Sequence, residues 1–99
     1  VRYRPVKHNI QIRDLGEKGY SLIEPILITI EEYASEENVI ACFPEVEVFG
    51  EGATEIEAII NLKLAILDLY DELDEIPEEN LGYVPLSWSR ILNNLIRKA

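Results

Sequence analysis

Hydrophobic and polar positions change period once along the chain, from two to about 3.6, and the change separates a sheet-forming half from a helical half. Ile10 and Ile12 alternate with Asn9, Gln11 and Arg13. The turn chemistry of Asp14-Leu15-Gly16-Glu17-Lys18-Gly19 then leads to Tyr20 and Leu22, which predicts a hairpin. Pro25 opens the strongest strand pattern, with Ile26, Ile28 and Ile30 pointing one way and Leu27, Thr29 and Glu31 the other. Ser35-Glu36-Glu37-Asn38 is a polar break that closes an antiparallel hairpin onto residues 39–43. Pro44 lacks a ladder donor and should interrupt that strand. Val46 and Val48 then alternate with Glu47 and Phe49 in a further strand, expected at the sheet edge.

The period shifts at the stretch 50–73, GEGATEIEAIINLKLAILDLYDEL, which is expected to be the central helix. Gly50 and Gly52 relax the backbone ahead of it. Thr54 is placed to cap the first turn, and Glu57, three residues on, to reach back to the N–H of Thr54 as a capping box. Asn61, Asp68, Asp71, Glu72 and Glu75 fall in a polar arc of roughly 100°, interrupted by Leu64. The opposing apolar arc is roughly 220° wide, so this helix needs cover on more than one side. Lys63 alone breaks that arc. Its stem is expected to lie along apolar surface with the ammonium reaching water, the alternative being an acidic partner.

Asp74-Glu75-Ile76-Pro77-Glu78-Glu79-Asn80-Leu81-Gly82 follows as an acidic connector in which Pro77 forbids continuous helix. Trp88, Ile91, Leu92, Leu95 and Ile96 then occupy one face of a short helix, with Ser87 as its cap and Pro85 preceding it. A helix this short must dock on something, either within the subunit or on a second chain. Arg97 and Lys98 are read as last-turn residues that complement its dipole.

The resulting expectation is an α+β fold: an antiparallel β-sheet of three to five strands, one long central helix packed on it and a short C-terminal amphipathic helix. Residues 1–24 are expected to form an arm and a hairpin extension, with residues 1–8 mobile. Residues 25–75 form the core, and residues 76–99 the acidic linker and C-terminal helix of the same domain. At 99 residues the chain fits one small domain.

Charge adds a constraint on partners. From Asp14 to Gly82 lie all 19 acidic residues and only two of the nine basic ones, a balance of −17, and the basic flanks restore +7 to give −10 overall. Such a body repels phosphate and suits a basic protein better than nucleic acid, although an acidic surface also keeps a small protein soluble. The lone Cys42 forms no internal disulfide, no apolar run is long enough to span a bilayer, and the cytoplasm is expected. The chain starts at Val1 without any methionine, which implies a removed initiator or a trimmed N-terminus.

The residues offer little catalytic chemistry. His8 is the only histidine and has no second histidine or paired acid beside it, and Cys42 sits in a strand pattern. Glu31 with Glu32, Glu45 with Glu47, and Asp68 with Asp71 and Glu72 are read as solvated faces rather than metal ligands. The glycine pair before the helix lacks the lysine of a phosphate loop, and Glu51 would repel an anion. No enzyme activity, metal or cofactor is expected.

Several pieces together carry a resemblance: Pro25-Ile26-Leu27-Ile28, Val39-Ile40-Ala41-Cys42-Phe43-Pro44-Glu45-Val46, Gly50-Glu51-Gly52-Ala53-Thr54, then Glu57-Ala58, Asn61-Leu62 and Ala65-Ile66. In this order and spacing the stretch from Pro25 to Leu73, about half the chain, resembles the HicB-like antitoxin family. The resemblance implies a partial ribonuclease-H-like fold, with an antiparallel sheet carrying the central helix on one face. It implies a non-catalytic role, in which the protein binds and inhibits a small basic RNA-cleaving toxin. Many members of that family also repress their own operon through an added DNA-binding domain. Residues 76–99 are too few for a helix-turn-helix or a complete ribbon-helix-helix unit, and the extension before Pro25 is longer than the family's usual start.

On this reading Glu45, Glu47, Glu51, Asp68 and Glu72 are the acids expected to meet a basic toxin. Trp88, Ile91, Leu92 and Leu95 are expected to dock the last helix or to join a homodimer. The alternatives are a solitary self-associating interaction domain and, below it, a DNA-binding autoregulator that uses the basic ends.

Overall fold

The computed structural model describes residues 5–99. Its strands are β1 (Val6–Ile12), β2 (Tyr20–Leu22), β3 (Ile26–Tyr33), β4 (Asn38–Phe43), β5 (Val48–Gly52) and β6 (Ile96–Lys98), and its helices are α1 (Glu55–Asp74) and α2 (Tyr83–Leu95). A four-stranded antiparallel sheet in the order β1-β3-β4-β5 carries α1 on one face, and β2 pairs with β6 in a separate two-stranded ribbon. The fold is α+β, with the expected long helix on the sheet and the short helix near the C-terminus.

The N-terminal third departs from expectation. β1 does not form a hairpin with β2 but pairs with β3 over seven residues, with Ile12 opposite Ile26 and Ile10 opposite Ile28. That register stacks both isoleucine sets on the helix-covered face, and burial over a long ladder outweighs a local turn. β2 is only three residues long and takes β6 as its partner. Of the expected mobile arm, Val6 to His8 lie in β1, and residues 1–4 fall outside the described residues. The loop after β1 is anchored at Leu15, which is 2 % exposed, and Gly16 donates its N–H to Asp14 Oδ1 at 2.9 Å in an Asx turn with φ +73°.

Two similar connections set the β3–β4 and β4–β5 hairpins. Each is a 3₁₀ turn, Ala34–Glu36 and then Pro44–Val46, followed by one left-handed residue, Glu37 at φ 48° and Glu47 at φ 52°. Pro44 ends the β4 ladder as expected. Val46, however, belongs to the turn and is fully buried, so β5 begins at Val48 rather than two residues earlier.

The face under α1 holds the core: Ile12, Ile26, Ile28, Ile30, Ala41 and Phe43 from the sheet meet Ala58, Leu62, Ile66, Tyr70 and Leu73 from the helix. Gly50 and Gly52 determine how close the helix comes. Neither has a positive φ, so the backbone freedom expected of them is not what the site uses. Both lie inside β5, and a Cβ on Gly50 would stand 2.1 Å from Leu62 N and 2.4 Å from Ala58 O. A Cβ on Gly52 would stand 2.8 Å from Ala58 N. Glycine is required because the helix backbone rests directly on the strand backbone.

Thr54 Oγ1 accepts from the Glu57 N–H at 3.2 Å, as a capping box requires. The return bond goes one residue earlier than expected, from Ala53 N–H to Glu57 Oε2 at 2.9 Å. Asn61 Nδ2 donates to the Glu51 carbonyl at 2.6 Å and ties the same turn of the helix to β5. Lys63 combines its two alternatives. Its side chain is largely covered, at 19 % exposed, and its Nζ reaches Asp14 Oδ1 at 3.1 Å rather than open water.

The C-terminal helix starts earlier than its apolar pattern suggests. Gly82 is its N-cap and gives no side-chain bond, Pro85 lies in the first turn and Ser87 lies inside the helix. First-turn N–H groups have no intrahelical acceptor, so proline there removes nothing. α2 packs on α1 and on the Pro44–Val46 turn, with Leu92 buried and Trp88, Ile91 and Leu95 half-buried against the core. It stops at Leu95. Arg97 and Lys98 are strand residues opposite Ser21 and Tyr20, not helix-terminal cations.

Gly50→Ala should lower stability by about 3 kcal/mol, since the added methyl meets helix backbone that cannot rotate away. Gly82→Ala, where the nearest atom is 3.9 Å from the added carbon, should change it far less. Urea titration of the two variants measures the difference.

Candidate functional site

Strand alternation sends every second residue of the sheet to the side away from α1. There β1 presents Lys7, Asn9 and Gln11, β3 presents Leu27, Thr29, Glu31 and Tyr33, β4 presents Ile40 and Cys42, and β5 presents Phe49 and Glu51. The register aligns Lys7, Glu31, Ile40 and Glu51 in one row across the strands and Asn9, Thr29, Cys42 and Phe49 in the next. The face is open to solvent: Phe49 is 59 % exposed and Leu27 57 %. Thr29, Ile40, Cys42, Pro44 and Phe49, with Glu31 and Glu51 on either side of Ile40, line a concavity of about 390 Å³.

The electrostatics of this face are set by Glu31. Tyr33 Oη donates to its Oε2 at 2.6 Å, and Lys7 Nζ stands 3.4 Å from its Oε1. The Tyr33 hydrogen bond, helped by Lys7, holds the Glu31 carboxyl below the ordinary carboxylate range, and the same bond raises the Tyr33 phenol. Burial, with Glu31 and Glu47 nearby, pushes the Cys42 thiol up. A raised thiol is a poor nucleophile. The single histidine does not reach it, because His8 shares the helix-side parity of Ile10 and Ile12 and its Nε2 lies 3.4 Å from Glu55 Oε1 at the start of α1.

The five acids expected to meet a partner do not form one patch. Glu51 lies on the open face, and Glu45 and Glu47 are exposed in and just after the turn that contains Pro44. Asp68 and Glu72 lie on α1, against the other side of the sheet. Asp68 borders a separate depression of about 210 Å³ with Glu17, Tyr20, Leu64, Leu67 and Asp71. Trp88, Ile91, Leu92 and Leu95 face the chain's own core, so they dock α2 within the molecule. Among the described residues, no three His, Cys, Asp or Glu side chains converge as a metal-binding group.

Two features escape reading from sequence. Glu31 and Tyr33, two apart on one strand, share a face, and that spacing was a usable signal for their bond. The second feature had none: Tyr20 Oη donates to both Asp71 carboxylate oxygens at 3.1 and 3.0 Å, and Lys98 Nζ stands 3.7 Å from Asp71 Oδ1 and 5.7 Å from the Tyr20 ring centroid. It joins β2, α1 and β6, which are distant in sequence. The carboxylate that accepts its hydroxyl raises the Tyr20 phenol.

No helix is long and apolar enough to cross a membrane among the described residues. No family model, curated protein or solved structure matches the chain.

The Glu31 carboxyl contributes stability in full above the ordinary carboxylate range near about 4.3, and that contribution is lost as pH falls through its lowered folded value. Tyr33→Phe removes the main cause and should move the Glu31 pKa up toward the ordinary range. Carboxyl NMR titration of Glu31 checks this, and an unchanged value would contradict the assignment.

Proposed function

We propose that this chain is a non-catalytic antitoxin of the HicB-like kind, which binds and neutralises a small basic RNA-cleaving toxin in the cytoplasm. The observation that carries the reading is the open sheet face, where exposed apolar side chains stand among carboxylates, with Lys7 as the cation paired to Glu31 among the described residues. An apolar centre with a charged rim is the usual anatomy of a protein-binding surface. Two further features support it. The −17 balance between Asp14 and Gly82 favours a basic partner over nucleic acid. An antiparallel sheet with a central helix on one face is also the arrangement that the resemblance of the stretch from Pro25 to Leu73 implies.

A self-associating interaction domain is the second reading, and a different surface favours it. Ile56, Ile60 and Leu64 are 72, 52 and 45 % exposed at i, i+4 and i+8 of α1, an apolar stripe made of one edge of the wide arc and the leucine that interrupts the polar one. Trp88, Ile91, Leu92 and Leu95 of α2 are engaged with the chain's own core. DNA binding through the basic ends ranks below both, because Lys98 is held beside Asp71.

Co-expression with the product of the adjacent reading frame should give a complex by gel filtration, and the complex should suppress that product's RNA cleavage at equimolar ratio. Association should slow on the order of tenfold or more as salt rises and screening shortens. Absence of both complex and inhibition would remove the reading. A salt-independent dimer of the chain alone, dissociated by Ile60→Lys in sedimentation equilibrium, would favour the second.

A further inference from the structure

Glu31, Ile40 and Glu51 lie side by side on β3, β4 and β5, so two carboxylates flank one apolar residue. At the usual interstrand spacing the outer two strands stand about 10 Å apart. In the next row Cys42 and Phe49 continue the apolar surface, and Leu27 on β3 extends it past Thr29. We infer that this face is the docking surface for a basic amphipathic helix of a partner protein, whose arginine or lysine places its stem on Ile40 and its charge between Glu31 and Glu51. The inference rests on the antitoxin reading for the partner's origin, and on the face itself for the mode of binding.

Three considerations select this occupant. A helix covers a sheet face, as α1 does on the other side, whereas an added strand would pair with an edge and leave the concavity empty. The two carboxylates suit a cation on a long apolar stem, and a guanidinium can bond to both rims. A second copy of the chain would bring the same acids against each other, with each copy at −10. Glu31 is ready for the role: Tyr33 orients it, and Lys7, 61 % exposed, contributes little as an exposed partner and can be displaced.

Cys42 is the sole cysteine and lines the concavity, so its alkylation reports occupancy without an added label. The probe is a synthetic leucine–arginine peptide with an amphipathic helical pattern. Its controls are a scrambled peptide of the same composition and a leucine–glutamate counterpart. At saturation the patterned peptide should slow maleimide alkylation of Cys42 on the order of tenfold, and both controls should not. Glu51→Gln and Phe49→Ser should each weaken protection by about tenfold, whereas Ile60→Ser on α1 should leave it unchanged. Circular dichroism verifies that each variant is folded. No protection, equal protection by the scrambled peptide, or loss of protection through Ile60→Ser would overturn the docking surface. The same variants separate the two readings. A toxin complex that ignores Phe49→Ser and Glu51→Gln refutes this surface and leaves the antitoxin role standing. Protection by the patterned peptide with no toxin complex supports the surface and refutes the role.

Discussion

The direct seating of α1 on β5 is the constraint on which the rest of the structure depends. With no side chain between them at Gly50 and Gly52, the helix backbone meets strand backbone, and a single added carbon would overlap it. The Thr54 cap and the Asn61 bond to the Glu51 carbonyl fix the helix at that contact. From there the helix runs over the apolar side of the sheet and buries Ile28, Ile30, Ala41 and Phe43 beneath Ala58, Leu62 and Ile66. All large-scale cover is thereby placed on one face. The opposite face keeps Leu27 and Phe49 exposed and Ile40 half-buried beside Glu31 and Glu51, and its availability follows from the same packing.

A chain this acidic must also manage its own repulsion. α1 begins well for its dipole, with Glu55 and Glu57 in the first turn, but its last turn carries acids and no base. The compensating charge comes from far along the chain: β6 brings Lys98 to Asp71, while β2 brings the Tyr20 hydroxyl to the same carboxylate. Backbone bonds hold the ribbon in place, including Ile23 N–H to the Leu95 carbonyl at 2.8 Å and Ala99 N–H to the Gly19 carbonyl at 2.6 Å. Lys63 acts similarly on the loop after β1 by reaching Asp14. Lys63 and Lys98 are thus each used where elements meet.

Much of this was legible from local pattern. The alternation of Ile26, Ile28 and Ile30, the break at Pro44 and the Thr54 cap each state a local preference that the fold keeps. Pairing partners were not legible, because a strand's alternation says which residues share a face but not which strand lies beside it. Hence β1 joined β3 instead of β2, and Ile96 to Lys98, which continue a helical pattern, were drawn into a strand by β2. The candidate face was half visible: Leu27, Thr29 and Glu31 were assigned to the side opposite the core isoleucines, but Phe49 and Ile40 joined them only through register. The local sequence around Gly50 and Gly52 suggests backbone freedom, whereas their real role, close approach, depends on what lies above a residue and not on its neighbours in sequence.

If the backbone contact between α1 and β5 organises the domain, the two elements must open together. Native-state hydrogen exchange across urea concentrations measures this residue by residue. The amides of Leu62 and Ile66 in α1, those of β4 and the β5 amides that bond to β4 should exchange only through global unfolding, with one common free energy and one common urea dependence. The β2–β6 ribbon should open at lower free energy. Exchange of α1 through a lower-energy opening that leaves β4 and β5 protected would contradict the account.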